Sequence, residues 1–357
     1  MPVAATIIAD AEELTPPWLT EVLSSAGIEA VVGEIDVAPV GTGQMASCYR
    51  LSIRYERGTG PARLIAKLPA TDPAVRAGAA MTYRTEVSFY RDLAPDLPMS
   101  VPRCYYAGMT ADATTFTLLL EDMAPATAGD QIAGCTGAQA RDAAVAIAGL
   151  HAGSWCDPKL DEIDSLIPRT SALVGLTGPM ITGTLQAFLD KRQLDPETTG
   201  VLRRFADNYP AWATGRPLPY ALMHNDYRLD NLLFAPAESA LPAVTTVDWQ
   251  SVSIGLPLRD VAFLVGTGLD QATRRSHERS IVSAYHEALT AHGVRDYTAE
   301  QCWDDYRHAL FHGPYICILG DAIAAPTERG LQMFTVMAER SAAAIRELNC
   351  FELIEGR

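Results

Sequence analysis

Hydrophobic and polar positions change their period twice along the chain. Behind Pro16-Pro17, Trp18-Leu19-x-x-Val22-Leu23 repeats at helical spacing and predicts a short helix within a leading segment, residues 1–34. From Ile35 the period becomes strand-like. Ile35–Val40, Met45–Tyr55 and Arg63–Leu68 are the first three predicted strands, with Gly58-Thr59-Gly60-Pro61 turning between the last two. Residues 79–94 read as a helix, with Tyr83, Val87, Tyr90 and Ala94 on one stripe. Arg103–Gly108 and Thr115–Leu120 follow as strands, so residues 1–124 form an antiparallel-dominated α+β region.

Beyond Glu121-Asp122-Met123-Ala124-Pro125 the pattern is mostly helical, and residues 125–357 are read as a second part. Ala138–Ala152 carries a stripe through Ala143, Ile147 and Leu150. Further helices are predicted at 178–190, 195–209, 272–292, 298–320 and 327–347. Two short apolar runs, Leu232-Leu233-Phe234 and Val244-Thr245-Thr246-Val247, form a strand pair beside polar clusters. No internal repeat is visible. A small β-rich lobe joined to a larger helical one suits a nucleotide held in the cleft.

Composition narrows the classes. Hydrophobic residues make up 48% and charged residues 20%, which argues for a folded chain. No run of about 18 apolar residues predicts a membrane span, and the first residues lack a secretory pattern. The ending Ile354-Glu355-Gly356-Arg357 fits a protease-recognition scar as well as a native terminus. Seven scattered cysteines, none in a Cys-x-x-Cys pair, favour reduced, buried thiols and a cytoplasmic protein. Net charge is −15, with 9 Lys+Arg against 15 Asp+Glu up to residue 124 and 19 against 28 after it. That argues against a nucleic-acid partner; it fits attraction of a cationic substrate, or simple solubility. Of the 28 basic residues only Lys67, Lys159 and Lys191 are lysines.

The chemistry concentrates in His224-Asn225-Asp226-Tyr227-Arg228-Leu229-Asp230-Asn231, a polar stretch between two apolar runs. Buried polar atoms need partners or a purpose. Asp226 and Asn231 lie five apart, where one loop can turn both toward a point, and a strand would deliver Asp248 nearby. These are hard oxygen donors of the kind Mg²⁺ takes, or a base. Phosphoryl transfer asks for such a carboxylate, such metal ligands, and a cation on the phosphates. Lys67, mid-strand among apolar neighbours, is the candidate cation, with Glu86 on the following helix as its partner. Taken singly, Lys67 also reads as an edge-strand surface lysine and Glu86 as an exposed helix carboxylate. The loop Gly41-Thr42-Gly43-Gln44-Met45-Ala46-Ser47 can lay N–H groups over phosphates, or be an ordinary hairpin turn. No Gly-x-x-x-x-Gly-Lys-Ser/Thr motif is present.

His-x-Asp with Asn five residues beyond the Asp, then a strand ending in Asp248-Trp249-Gln250, resembles the aminoglycoside phosphotransferase/choline kinase superfamily. Within it, the run from His224 to Phe234, Arg259-Asp260-Val261-Ala262-Phe263-Leu264 and Leu118-Leu119-Leu120-Glu121-Asp122-Met123 most resemble the ecdysteroid-kinase-like branch and its bacterial relatives. The resemblance spans roughly residues 35–320. It implies a bilobal protein-kinase-like fold and ATP- and Mg²⁺-dependent phosphorylation of a small-molecule alcohol. It further implies Asp226 as catalytic base, Asn231 and Asp248 as Mg²⁺ ligands, and Lys67 on the α/β-phosphates with Glu86 as its partner. Gly41, Thr42, Gly43, Gln44 and Ser47 would cover the phosphates, and Glu121, Asp122 and Met123 would meet the adenine. His224 and Asp260 would brace the catalytic loop, and His151 is read as structural. Asn225 stands where many relatives have glycine, and asparagine tolerates the left-handed backbone.

Two other readings remain open: a nucleotide-binding pseudokinase without turnover, and a protein kinase. His-Asn-Asp in place of His-Arg-Asp, Asp-Trp-Gln in place of Asp-Phe-Gly, and the lack of an Ala-Pro-Glu segment count against the protein kinase. For the acceptor, Trp303, Asp304, Asp305, Tyr306, His312 and Tyr315 are candidates. A solvated helix face is the expectation for Asp304-Asp305, and a surface or pocket-wall position for His308 and His312.

Overall fold

The computed structural model describes residues 6–41, 45–166 and 171–355. The chain divides into two compact units. The first takes the residues up to Asp96, Val101–Ala124 and Val247–Ser251; the second takes Leu97–Ser100, Pro125–Thr246 and the residues from Val252 onward.

In the first unit, α1 (Pro16–Ser25) opens with two prolines in its first turn, where a missing N–H is harmless. β1 (Val31–Val40), β2 (Ala46–Arg57), β3 (Arg63–Pro69), β4 (Cys104–Met109) and β5 (Phe116–Glu121) form an antiparallel sheet in the order β1-β2-β3-β5-β4. The leading segment is thus shorter than expected: β1 already begins at Val31 rather than at Ile35. Trp18, Leu19, Val22 and Leu23 of α1 bury in one core with Leu51, Leu64, Ala66 and Leu68. Because strand side chains alternate faces, Lys67 turns to the side away from that core.

On that other side lies α2 (Pro73–Ser88), started by Asp72, whose carboxylate caps the Ala74 N–H at 2.8 Å. Tyr83 anchors it, its hydroxyl accepting from Ala70 N at 3.1 Å and donating to Met45 O. The predicted helix over 79–94 therefore begins earlier and ends at Ser88, where a wider turn over Phe89–Leu93 takes over. That turn stacks Phe89 on Trp249, with ring centroids 3.9 Å apart and planes within 9°.

The second unit contains β6 (Thr127–Ala128), α3 (Gly137–Gly153), α4 (Ser171–Asp190), α5 (Pro196–Thr214), β7 (Ala221–Met223), β8 (Leu232–Phe234), β9 (Val244–Thr246), β10 (Ser253–Gly255), α6 (Leu258–Gly268), α7 (Gln271–Ala291), α8 (Ala299–Ala309), α9 (His312–Ile323) and α10 (Glu328–Glu347). β6, β8 and β9 pair in that order, and β10 pairs with β7. α3 packs on α7, while α6 packs against α8, α9 and α10. The helix expected over 298–320 is two helices. Pro314 has no N–H to continue α8, but it fits the first turn of α9. Every residue of α6 except Arg259 is buried, so the helix has no solvent-facing polar stripe. Leu97–Ser100 docks here: Thr246 N donates to Ser100 O at 3.2 Å, and Pro98 O presses so close to Gly149 that a Cβ there would lie 1.9 Å from it. No helix among the described residues is long and apolar enough to cross a membrane. A β-sheet amino-terminal region followed by a helical carboxy-terminal region is the fold class the sequence predicts.

Candidate active site

Three of the predicted residues meet in the first unit. Lys67 is 9% exposed, and its Nζ donates to Glu86 Oε1 at 2.7 Å and to Asp248 Oδ1 at 2.8 Å. Burial opposes the ammonium, but Asp248 and Glu86 outweigh it and hold Lys67 above the ordinary lysine value. Burial pushes the Glu86 carboxyl up, and Lys67 works against that push. Asp248 has a left-handed backbone, φ 66°, rare for a non-glycine residue. The Phe89–Trp249 stack fixes the segment that presents it.

Elsewhere in this unit, Gly41 sits at φ 76°, and Ser47 lies in β2 opposite Leu68. Thr42, Gly43 and Gln44 lie outside the described residues. Glu121 ends β5. Asp122 is clamped by Arg50 Nε at 2.9 Å and Arg63 Nε at 3.3 Å, and it caps the Ala124 N–H at 3.1 Å. The clamp fixes the backbone through Met123.

In the second unit, residues 224–231 run from β7 to β8. Asp260, in the first turn of α6, accepts His224 N at 2.7 Å and Asn225 N at 2.8 Å, one on each oxygen. His151 Nε2 lies 3.2 Å from the same carboxylate, while its Nδ1 meets the Tyr285 hydroxyl at 2.7 Å. Burial works to raise Asp260, yet His151 and His224 keep it below the ordinary carboxylate range. Asn225 takes φ 67°, and His224 Nδ1 accepts the Asp226 N–H at 3.3 Å.

Asn231 Nδ2 then donates both to Asp226 O and to Asp226 Oδ2, each at 2.9 Å. Arg228 Nε adds a contact to Asp226 Oδ2 at 3.2 Å. Among the described residues no donor meets Asn231 Oδ1 or Asp226 Oδ1.

Three residues with no assigned part in the sequence reading hold this loop. Arg228 pairs with both Asp226 and Asp230, and together they outweigh burial and keep its guanidinium pKa above the ordinary arginine value. Gln131 accepts the Leu229 N–H at 2.9 Å and donates its own N–H to Asp230 at 3.0 Å. Arg329 forks onto Asp230 at 2.9 and 3.0 Å. Arg228 stands inside the polar stretch and was findable there. Gln131 and Arg329 lie far away in sequence and carry no local signal.

The acceptor candidates divide. Tyr306 is fully buried and donates to Glu278 Oε2 at 3.3 Å; Trp303 lies under Arg279, 3.4 Å from the ring centroid. Asp304 is exposed as expected, but Asp305 is buried against Arg216 Nε and the Tyr297 hydroxyl, both at 2.9 Å. His308 and His312 are wholly buried rather than on the surface. Of these candidates only His312 and the part-exposed Tyr315 stand near the 224–231 loop, through a His312 Nε2–Asn225 O contact of 3.1 Å.

Comparison with known proteins follows this geometry. No curated protein matches the chain in sequence. An ethanolamine kinase from Plasmodium vivax superposes with a TM-score of 0.56 at 11% identity, covering 95% of this chain and 90% of its own. A choline kinase from Cryptosporidium parvum Iowa II gives 0.55 at 11% identity, covering 90% and 91%. The streptomycin–ATP–APH(2")-IIa ternary complex gives 0.51 at 14% identity, covering 95% and 99%. At these identities the likeness is one of fold. The sequence match is separate: residues 51–307, from β2 into α8, fit the profile of a phosphotransferase family known as APH. Spanning well over half the chain and including Lys67, Asp226, Asn231, Asp248 and Asp260, that match makes this protein a member of the phosphotransferase enzyme family.

Proposed function

We propose that this phosphotransferase moves the γ-phosphoryl group of ATP onto a hydroxyl of a small molecule, with Asp226 as the base. The observation that carries the reading is the buried Lys67, bonded at once to Glu86 and Asp248. A buried ion triad is a poor stabilising device, because desolvation offsets the attraction. It suits a cation whose task is to hold phosphate oxygens. On this reading Lys67 meets the α/β-phosphates, the backbone of residues 41–47 covers them, and the backbone of residues 121–123 meets the adenine.

Asn231 and Asp248 fit Mg²⁺ by donor chemistry. Asn231 spends its N–H groups on Asp226, which leaves its carbonyl oxygen available. Among the described residues no cluster of three or more His, Cys, Asp or Glu forms a full protein cage. Mg²⁺ typically takes one or two protein carboxylates and completes its shell with water and phosphate. Bound there, it would neutralise charge on the phosphate oxygens. As the acceptor oxygen bonds to the γ-phosphorus and the bond to the bridging oxygen of ADP breaks, the hydroxyl proton passes to Asp226 Oδ1. Arg228 and Asn231 fix the plane of that carboxylate through Oδ2. Asp260, through the His224 and Asn225 amides, sets the loop.

Within the family, the run from His224 to Phe234 supports the ecdysteroid-kinase-like branch and its bacterial relatives, and seven free cysteines support a reducing, cytoplasmic setting. Mg·ATP is expected to raise the melting temperature, and an ADP-release screen over small alcohols to find an acceptor. Asp226→Ala should then lose about 10²–10⁴-fold in kcat while keeping the Mg·ATP shift. Undiminished transfer by Asp226→Ala would remove Asp226 as the base. A wild-type protein that shows no shift would remove the nucleotide, and a shift without transfer would leave a binding protein.

A further inference from the structure

Arg259 is the one α6 residue that is not fully buried, and its surroundings are unusual for an arginine. Its guanidinium carbon lies 4.4 Å from the Trp212 ring centroid. Trp212 stands 6.0 Å from Tyr209 and 5.5 Å from Tyr315 between centroids, and His312 stacks 5.6 Å from Tyr315. Nε is shut off from solvent with no acceptor. Among the described residues no hydrogen bond or ion pair reaches the Arg259 side chain. Asp260 beside it does not help, since both its oxygens already serve His151, His224 and Asn225.

A sheltered guanidinium without an anion is unfavourable, and the face of Trp212 offsets only part of that. The fully buried arginines show the contrast: Arg192 is paired with Asp321, and Arg274 with Glu278 and Glu347. The aromatic group around Arg259 also leads to the catalytic loop by two short routes. Asp260 holds the His224 and Asn225 amides, and His312 Nε2 meets Asn225 O at 3.1 Å.

We propose that Arg259 binds an anionic group, carboxylate or phosphate, on the acceptor whose hydroxyl Asp226 deprotonates, with the part-exposed Tyr315 against the acceptor's apolar portion and the buried Tyr209 and Trp212 backing the guanidinium. This rests on the kinase reading for the word acceptor, but the anion site stands on its own geometry. The chain's net charge of −15 opposes an anion at long range. Screening over about 8 Å at physiological salt leaves the selection to contacts.

Calorimetric titration tests it, with benzoate, phenyl phosphate, benzamide and benzyltrimethylammonium as probes. Benzoate or phenyl phosphate is expected to bind wild-type protein at least tenfold more tightly than benzamide, and the tighter of the two names the anion. Arg259→Gln should erase that preference, and Arg259→Lys should retain part of it, while both keep the Mg·ATP melting shift. In the ADP-release screen, 4-(hydroxymethyl)benzoate should exceed 4-(hydroxymethyl)benzamide at least tenfold in kcat/KM, mostly through KM. Equal binding of benzoate, phenyl phosphate and benzamide to wild-type protein, tighter binding of the ammonium probe, or a preference that survives Arg259→Gln would overturn the proposal. The wild-type comparison decides even if a variant does not fold. Failure of the kinase reading shows separately, as no Mg·ATP shift or no ADP release beside an intact anion preference.

Discussion

His312 lies wholly buried, with Nε2 on the Asn225 carbonyl and Nδ1 sealed without a partner among the described residues. A carbonyl can only accept, so Nε2 carries a proton, and a second proton on the sealed Nδ1 would meet no acceptor there. Burial first, and Arg259 second, push its pKa down to about 4, from an ordinary value near 6.5. Between about pH 6.5 and 4 the unfolded chain therefore binds a proton that the folded one does not, and stability falls as pH drops through that window. His312→Gln should flatten this part of the stability–pH curve, measured by urea unfolding at steps from pH 7 to 4.5. Parallel curves for the two proteins would show that the ring is not held neutral. At this scale the sequence was most readable where chemistry restricts residue type. Lys67 stood out as one of three lysines, and Asp226, Asn231 and Asp248 by spacing. Arg259 was invisible there, because lacking a partner is a property of the folded chain and not of an arginine codon.

Among elements, α3 shows how tightly the second unit is fitted. Gly149, inside the helix, faces the Pro98 carbonyl at a distance that leaves no room for a methyl group. Alanine at this position gains about 1 kcal/mol of helix propensity. Overpacking against a backbone atom works the other way by about 1–3 kcal/mol or more, so Gly149→Ala should lower the melting temperature, read by circular dichroism. An unchanged or higher value would mean that the 97–100 segment yields freely. Elements with a clear period were legible: the five strands, α3, α5, α7 and α10 all lie where alternation or a stripe predicted them. β7 and β10 are three residues each, too short to show a period. α6 is apolar nearly all round, and α8 and α9 merged because the break at Leu310 and Phe311 interrupts no hydrophobic run. The Asp248 segment, placed after a predicted strand, turned out to owe its position to Trp249 stacking on Phe89, a pairing across 160 residues of chain that no local pattern announces.

For the molecule as a whole, the first unit is not a stretch of sequence. Residues 1–124 alone would lack Val247–Ser251, and with it both the Trp249 face against Phe89 and the second carboxylate on Lys67. That fragment is expected to give a poorly dispersed NMR spectrum and no cooperative melt, whereas the full chain melts cooperatively; a well-folded fragment would show that Val247–Ser251 is dispensable. The same threading has a consequence for inheritance. A gene crossover near codon 124 would join Lys67 and Glu86 from one parent to Asp248 and Trp249 from another. The two halves of this coding sequence are therefore expected to diverge together, with changes around Phe89 matched by changes around Trp249, as though a distant exon belonged to the first.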